Sequence, residues 1–263
     1  MPLLSDLDEK ALAARLPASN AVADKVPLVH VDRAVIDLIE HPPHEIPTSA
    51  IGSNSDNTRR TEGLLGLPPS AYFYAGRAHP KFGSTAFAFA AGCEDAHTGS
   101  ASPFDTGGLL SNPPHLKLRL NPNDGEAERV AFGKASMLPL DQWRAAFGKF
   151  LAAYYDSQVD YWQKKPSRVD PERLFELNND WRAWTFEIRF SEGQSIHNRA
   201  AWSADETVMS KLRSLDDQQP ATIPGDPPSG LDQFFAGPPA LEPAGTPHFC
   251  ERLEQWVREQ IAT

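Results

Sequence analysis

Arg182-Ala183-Trp184-Thr185-Phe186-Glu187-Ile188-Arg189-Phe190 alternates apolar and polar residues from Trp184 onward, the period-two pattern of a β-strand. Successive side chains of a strand point to opposite faces. Thr185, Glu187 and Arg189 therefore share one face, and Trp184, Phe186, Ile188 and Phe190 the other. With the apolar face packed inward, Glu187 projects into a cleft or toward solvent. A strand of this kind needs neighbours and a covering layer, and both can be read in the rest of the chain.

Upstream, Val26-Pro27-Leu28-Val29-His30-Val31 is a short β-rich apolar run, and Ala71-Tyr72-Phe73-Tyr74-Ala75 is another. Ser84-Thr85-Ala86-Phe87-Ala88-Phe89 and His115-Leu116-Lys117-Leu118-Arg119-Leu120 alternate. Helices are expected from Ser5 to Pro17, over 32–39, from Asp141 to about Lys165, from Ser203, and over 247–263. The strongest carries Trp143, Phe147, Phe150, Leu151, Tyr154 and Tyr155 on one face. Residues 47–60 and 92–115 read as polar loops. Residues 217–247 hold eight Pro and four Gly, too many for a regular element, with Phe234-Phe235 as an apolar anchor. Strands and helices mixed in this way predict an α+β fold. A single domain spanning 1–263 is expected, in which 217–247 forms a strap and the last helix docks on the body.

With 35 acidic against 25 basic residues, the formal net charge is −10. Tight non-specific nucleic-acid binding comes from Lys and Arg neutralising phosphates, so that class is disfavoured and a selective target is expected. Cys93 and Cys250 make no disulfide framework and no CxxC metal spacing. The opening MPLLSDLDEKALAARL lacks the basic and apolar regions of a signal peptide, and no apolar run is long enough for a membrane span. A cytoplasmic protein is the expectation.

Three stretches carry candidate chemistry. Arg77 follows Gly76 just beyond the run Tyr72-Phe73-Tyr74, and a guanidinium offers a rigid fork of donors to a pyrophosphate or carboxylate. Glu187 is the lone carboxylate of its strand. His30 closes a β-rich run. A competing set is Cys93, His97 and Asp105 in one loop, a thiol with a base and an orienting acid, which His79 or His115 could extend into a metal site.

In order and spacing, Leu28-Val29-His30-Val31-Asp32, the segment Tyr72–Pro80 and the segment Arg182–Phe190 resemble the DarT-type ADP-ribosyltransferases, which modify nucleic acid using NAD. The resemblance covers 28–39, 71–83 and 180–197. It departs at Gly76, where the family usually has Pro, and it leaves 90–140 and the Pro-rich stretch without counterpart. It implies a split antiparallel sheet with surrounding helices, NAD as substrate and no metal. It also implies a role as an intracellular toxin or defence effector, with nucleic acid or a protein as acceptor and room for an antitoxin. Glu187 would be the catalytic carboxylate and Arg77 would meet the pyrophosphate. His30 would hold a ribose and Tyr72 or Tyr74 would stack on nicotinamide. Asn54 and Asn57 would lie in a polar loop closing over NAD. The other classes left open are a Cys/His hydrolase or metal enzyme built on 93–105, and an interaction module presenting the aromatic helix.

Overall fold

Strand β9 (Glu187–Ser191) runs inside a seven-stranded antiparallel sheet, between β3 (Ser70–Ala75) and β5 (Gly99–Ser102). The computed structural model describes residues 4, 8–32, 45–47, 55–76, 85–89, 92–118, 125–156, 160–161, 175–176, 185–191, 195–197 and 200–203. The other strands of the sheet are β1 (Leu28–Asp32), β4 (Thr85–Phe89), β7 (Leu138–Pro139) and β11 (Ala200–Ser203), in the order β11-β4-β1-β3-β9-β5-β7. Two further ribbons pair β2 (Glu45–Pro47) with β10 (Ser195–His197), and β6 (Lys117–Leu118) with β8 (Phe175–Glu176). The described residues form helices around an antiparallel sheet, an α+β architecture.

Register places the side chains. Tyr74 lies opposite Glu187 and Tyr72 opposite Arg189, while Phe73 lies opposite Ile188. Directly opposed residues share a face, so Tyr72, Tyr74, Glu187 and Arg189 form one face and Phe73, Phe186, Ile188 and Phe190 the other. Strands β1 and β3 pair through Leu28↔Ala75 and Val29↔Tyr74, with Gly76 N donating to the Pro27 carbonyl at 2.9 Å just beyond. Beyond those pairs β1 stays paired with β4 through Asp32, and the sheet opens between β1 and β3.

Helices cover both faces. Helix α6 (Trp143–Tyr154) packs on the apolar face, with Phe147 and Phe150 at 5.3 and 5.7 Å from Phe186, centroid to centroid. Helix α2 (Leu16–Lys25) lies against α6, and Arg15 reaches across to the carbonyls of Ala152 and Tyr155. On the other face lie α3 (Asp56–Leu65), α4 (Thr106–Leu110) and α5 (Glu126–Ala135), which pack on one another. The face expected to meet a cleft or solvent is therefore roofed: Glu187 and Arg189 are each only 1% exposed.

Several local expectations are corrected. The first helix ends ahead of Pro17, as expected, but is shorter. That helix, α1 (Glu9–Leu12), is capped by Asp8, and Pro17 sits in the first turn of α2, where its missing N–H is no loss. From Ser55 the expected loop over 47–60 gives way to helix: the Ser55 hydroxyl caps α3 by accepting from Thr58 N at 3.2 Å. The supposed loop over 92–115 holds a 3-10 turn (Cys93–Ala96), β5 and α4. Helix α5 had no counterpart in the sequence reading. Helix α6 starts at Trp143 and stops at Tyr154, because Tyr155 is extended at φ −125° and ψ 140°. Ser203 is the last residue of β11, and the helix expected beyond it lies outside the described residues. The expected elements over 32–39 (beyond Asp32), 217–247 and 247–263 lie outside the described residues.

Gly99 shows how tightly β5 meets β9. A Cβ there would stand 1.8 Å from the Arg189 carbonyl oxygen, a contact that only strand displacement relieves. Gly99→Ala is expected to cost about 3 kcal/mol and to move the denaturant midpoint without changing the slope. An unchanged midpoint would contradict the packing of these two strands.

Candidate functional site

The site is a buried polar cluster beneath α4. Glu187 is aimed by β9 into the roofed face, where Thr106 Oγ1 donates to Glu187 Oε1 at 2.7 Å and Arg189 Nη1 donates to the same oxygen at 2.9 Å. Arg189 also donates from Nη1 to Thr106 Oγ1 at 3.2 Å, from Nε to Ser100 Oγ at 3.2 Å, and from Nη2 toward Met137 Sδ at 3.1 Å. A buried guanidinium that spends its donors this way is fixed in orientation, and it holds the carboxylate in turn.

Asp105 stands at the N-terminal end of α4, one residue before Thr106. The Gly107 and Gly108 amides and the nearby His115 favour its charge, yet burial is the larger effect and raises its pKa above the ordinary carboxylate value. Glu187 is pushed up to about 7. Burial is the main cause, the Asp105 charge and hydrogen bond add to it, and Arg189 and Thr106 oppose it. Glu187 therefore titrates near neutrality, where a group can both take and give a proton.

Tyr74 is buried over this pair, and its hydroxyl is held far above its ordinary pKa by burial and by the Asp105 and Glu187 charges. Tyr72 lies on the same face, half-buried, and donates to Glu62 Oε1 at 3.1 Å. Glu62 also accepts from Ser70 N at 3.0 Å, so α3 is pinned to β3. Asn57 is not in a loop but in the first turn of α3, exposed, with Nδ2 3.8 Å from where a Cβ on Gly107 would stand. The rim is thus partly open at Asp105, Gly107, His115 and Tyr72, with Asn57 outside it and Glu187 and Arg189 beneath. Thr185, two residues before Glu187 on the same face, is fully buried, and its hydroxyl has no hydrogen-bond partner among the described residues.

His30 is on the opposite face. Its ring meets Phe73 edge-on at 5.9 Å, and its Nδ1 lies 2.7 Å from the Tyr72 carbonyl oxygen, in the gap where β1 and β3 part. His97 is on that face too, stacked on Phe190 at 4.7 Å. The sheet consequently separates His97 from Asp105, and the Cys93, His97 and Asp105 set is not brought together. In that loop it is Glu94 that the fold uses: buried, it accepts from Trp143 Nε1 at 3.0 Å and from Arg144. Among the described residues, no group of three His, Cys, Asp or Glu side chains is placed to hold a metal ion. Arg77 and Asn54, and with them His79, lie outside the described residues. No helix among the described residues is long and apolar enough to cross a membrane.

The sequence reading did not find Thr106 or the part played by Arg189. Alternation had placed Arg189 beside Glu187, and a charged pair two residues apart on one strand face was the available signal. Thr106 had no local signal.

The raised Glu187 pKa has a stability consequence. A carboxyl that binds its proton more tightly folded than unfolded contributes stability that is fully present below its ordinary value of 4.5. That stability is lost as pH rises through about 7. Between pH 4.5 and 8 the protein is expected to lose on the order of 3 kcal/mol that a Glu187→Gln variant keeps. Calorimetric Tm against pH for the two proteins measures it, and parallel curves would refute the shift.

These features define an α+β protein with a buried strand carboxylate held by a threonine and an arginine beneath the start of a short helix. No family model, curated protein or solved structure matches the chain.

Proposed function

We propose that the chain is an NAD-dependent mono-ADP-ribosyltransferase in which Glu187 is the working carboxylate. The observation that carries the reading is Glu187 itself. It is a single strand-borne carboxylate, gripped by Thr106 and Arg189 and poised near neutral pH. Support also comes from the opening between β1 and β3, which suits the split sheet that the DarT resemblance implies. The buried Thr185 hydroxyl, without a partner among the described residues, suits a ligand hydroxyl beside the carboxylate.

Cleaving the nicotinamide–ribose bond builds positive charge on the ribose, as in glycoside hydrolysis. An ionised Glu187 stabilises that charge more in the transition state than in the ground state, and such differential binding is what lowers a barrier. The electron pair of the broken bond leaves with nicotinamide, the acceptor's oxygen or nitrogen bonds to the ribose carbon, and the acceptor's proton passes to Glu187. Arg189 keeps the carboxylate in place rather than meeting the substrate, because Glu187, Thr106, Ser100 and Met137 already engage it. Arg77 would meet the pyrophosphate, and Tyr74, Tyr72 and Asn57 would line the approach. Nucleic acid is the proposed acceptor and a protein the alternative; a cytoplasmic effector role belongs to the same proposal.

A second reading has its own support. Glu187 at 1% exposure is also what a purely structural polar core would show. Labelled NAD with DNA, RNA or cell lysate separates the two. Transfer or NAD turnover by the wild type that is lost in a folded Glu187→Gln variant supports the transferase. No turnover and no label on any acceptor would leave the structural reading standing.

A further inference from the structure

We propose that Asp105-Thr106-Gly107, at the start of α4, is a lid over Glu187. Closed, it sets the Thr106 hydroxyl on the carboxylate oxygen that a substrate must reach; it lifts to admit the substrate. The consequence for catalysis rests on the reading of Glu187 as the working carboxylate, whereas the motion of the lid does not.

Access poses the problem. Glu187 is 1% exposed, so a substrate touches it only after something above it moves. The sheet beneath is fixed, since β9 is paired with β3 on one side and β5 on the other. Arg189 comes from that same strand and is engaged by Ser100 and Met137 as well. From the roof, Thr106 is what reaches the carboxylate. Its hydroxyl donates to Glu187 Oε1 at 2.7 Å and accepts from Arg189 Nη1 at 3.2 Å. The part that moves must therefore carry Thr106.

Anchors on either side mark its ends. Upstream, Phe104 is buried and stacked on Phe132 at 5.6 Å, and its carbonyl accepts from Ser102 Oγ at 2.7 Å. Downstream, the Gly108 carbonyl accepts from His115 N at 2.9 Å, Leu116 N at 3.2 Å and Ser111 Oγ at 3.0 Å. Leu109 and Leu110 are fully buried, and Arg60 of α3 donates to the Leu110 carbonyl. The three residues between these anchors are held more lightly. Asp105 and Gly107 are half-buried, and a Cβ on Gly107 would meet only side chains within 4 Å, those of Asp105 and Asn57. Consecutive glycines at 107 and 108 weaken a five-residue helix and free the backbone where the lid must bend. Closure also leaves the Thr185 hydroxyl, buried on the Glu187 face, without a partner among the described residues. An unmade hydrogen bond at a buried group costs stability, so the closed state is held less firmly than its burial suggests.

Amide hydrogen exchange reads the motion without any substrate. The Leu109 amide donates to the Asp105 carbonyl at 3.1 Å, across the lid. The His115 amide donates to Gly108 at an anchor, and the Ala75 amide to the Phe186 carbonyl at 3.0 Å inside the sheet. In the wild type, Leu109 should be less protected than His115 and Ala75 by about a hundredfold or more. Its exchange should also ignore low denaturant, because a local opening exposes little surface. Equal protection of the three amides would overturn the lid, and this comparison needs no variant to fold. Thr106→Val then removes the latch while keeping the shape of the side chain. Leu109 protection should fall about tenfold, the order of one hydrogen bond. NAD turnover at low NAD should rise about tenfold through a lower KM, because more of the enzyme stands open. Thr106→Ser keeps the hydroxyl and should restore wild-type behaviour in both measurements. Turnover that falls in Thr106→Val would place Thr106 in the chemistry and overturn the lid as a barrier. Fast Leu109 exchange without NAD turnover by any of these proteins would uphold the motion and sink the transferase reading alone.

Discussion

Glu187→Gln is expected to lower NAD turnover by about 10²- to 10⁴-fold, the usual worth of a positioned acid–base group, while leaving the protein folded. Gln occupies the same space and keeps a carbonyl oxygen that can accept from Thr106 and Arg189 as Glu187 does now. What disappears is the negative charge beside the ribose and the base that takes the acceptor's proton. The loss should therefore fall on kcat more than on KM, since an interaction made chiefly in the transition state is being removed. Single-turnover release of labelled nicotinamide measures this, with circular dichroism to establish the fold. Turnover within a few-fold of wild type would exclude Glu187 from the chemistry.

Arg189→Met should destabilise the protein by about 3–5 kcal/mol, because it leaves the Glu187 carboxyl buried without its cation. In a chain of this length that corresponds to a Tm lower by roughly 6–15 °C. The substitution also removes the bond to Ser100 on β5 and the contact with Met137 before β7, so two strands lose a tether. The Glu187→Leu/Arg189→Met double variant should recover part of the loss, since replacing a whole buried pair by apolar side chains costs far less than halving it. Differential scanning calorimetry decides the matter. A single variant melting within a degree of wild type would mean that the pair does not carry the load its burial implies.

How much of this was legible beforehand differs from residue to residue. Alternation around Glu187 correctly placed Glu187 and Arg189 on one face and Phe186, Ile188 and Phe190 on the other, because side-chain period in a strand is set by backbone geometry alone. The aromatic stripe of α6 was legible for the similar reason that helical spacing brings Trp143, Phe147 and Phe150 together. Residues 55–65 were missed because Asp, Asn, Arg and Thr dominate a helix that is capped by Ser55 and anchored through Glu62. Polarity there reflects an exposed face, not a loop.

His30 marks the limit of local reading. Whether it joins Glu187 or turns away depends on the register of β1 against β3, where a slip of one residue moves every side chain to the other face. The register Leu28↔Ala75 puts it with Phe73, away from Glu187. Asp105 and Thr106 were beyond reach for a different reason. They are 82 and 81 residues from Glu187 along the chain, and no pattern within either segment encodes their meeting.

What the sequence by itself determined is the class of the fold, the acidic balance that disfavours an indiscriminate nucleic-acid binder, and the two faces of the strand around Glu187. These follow from composition and from periods of two and 3.6 residues, which are local properties. The tertiary structure alone decided that the polar face is roofed by α3, α4 and α5, and that Glu187 is held by Arg189 and Thr106. Burial and charge pairing arise between segments distant in sequence, and they are what bring an ordinary glutamate to titrate near neutral pH.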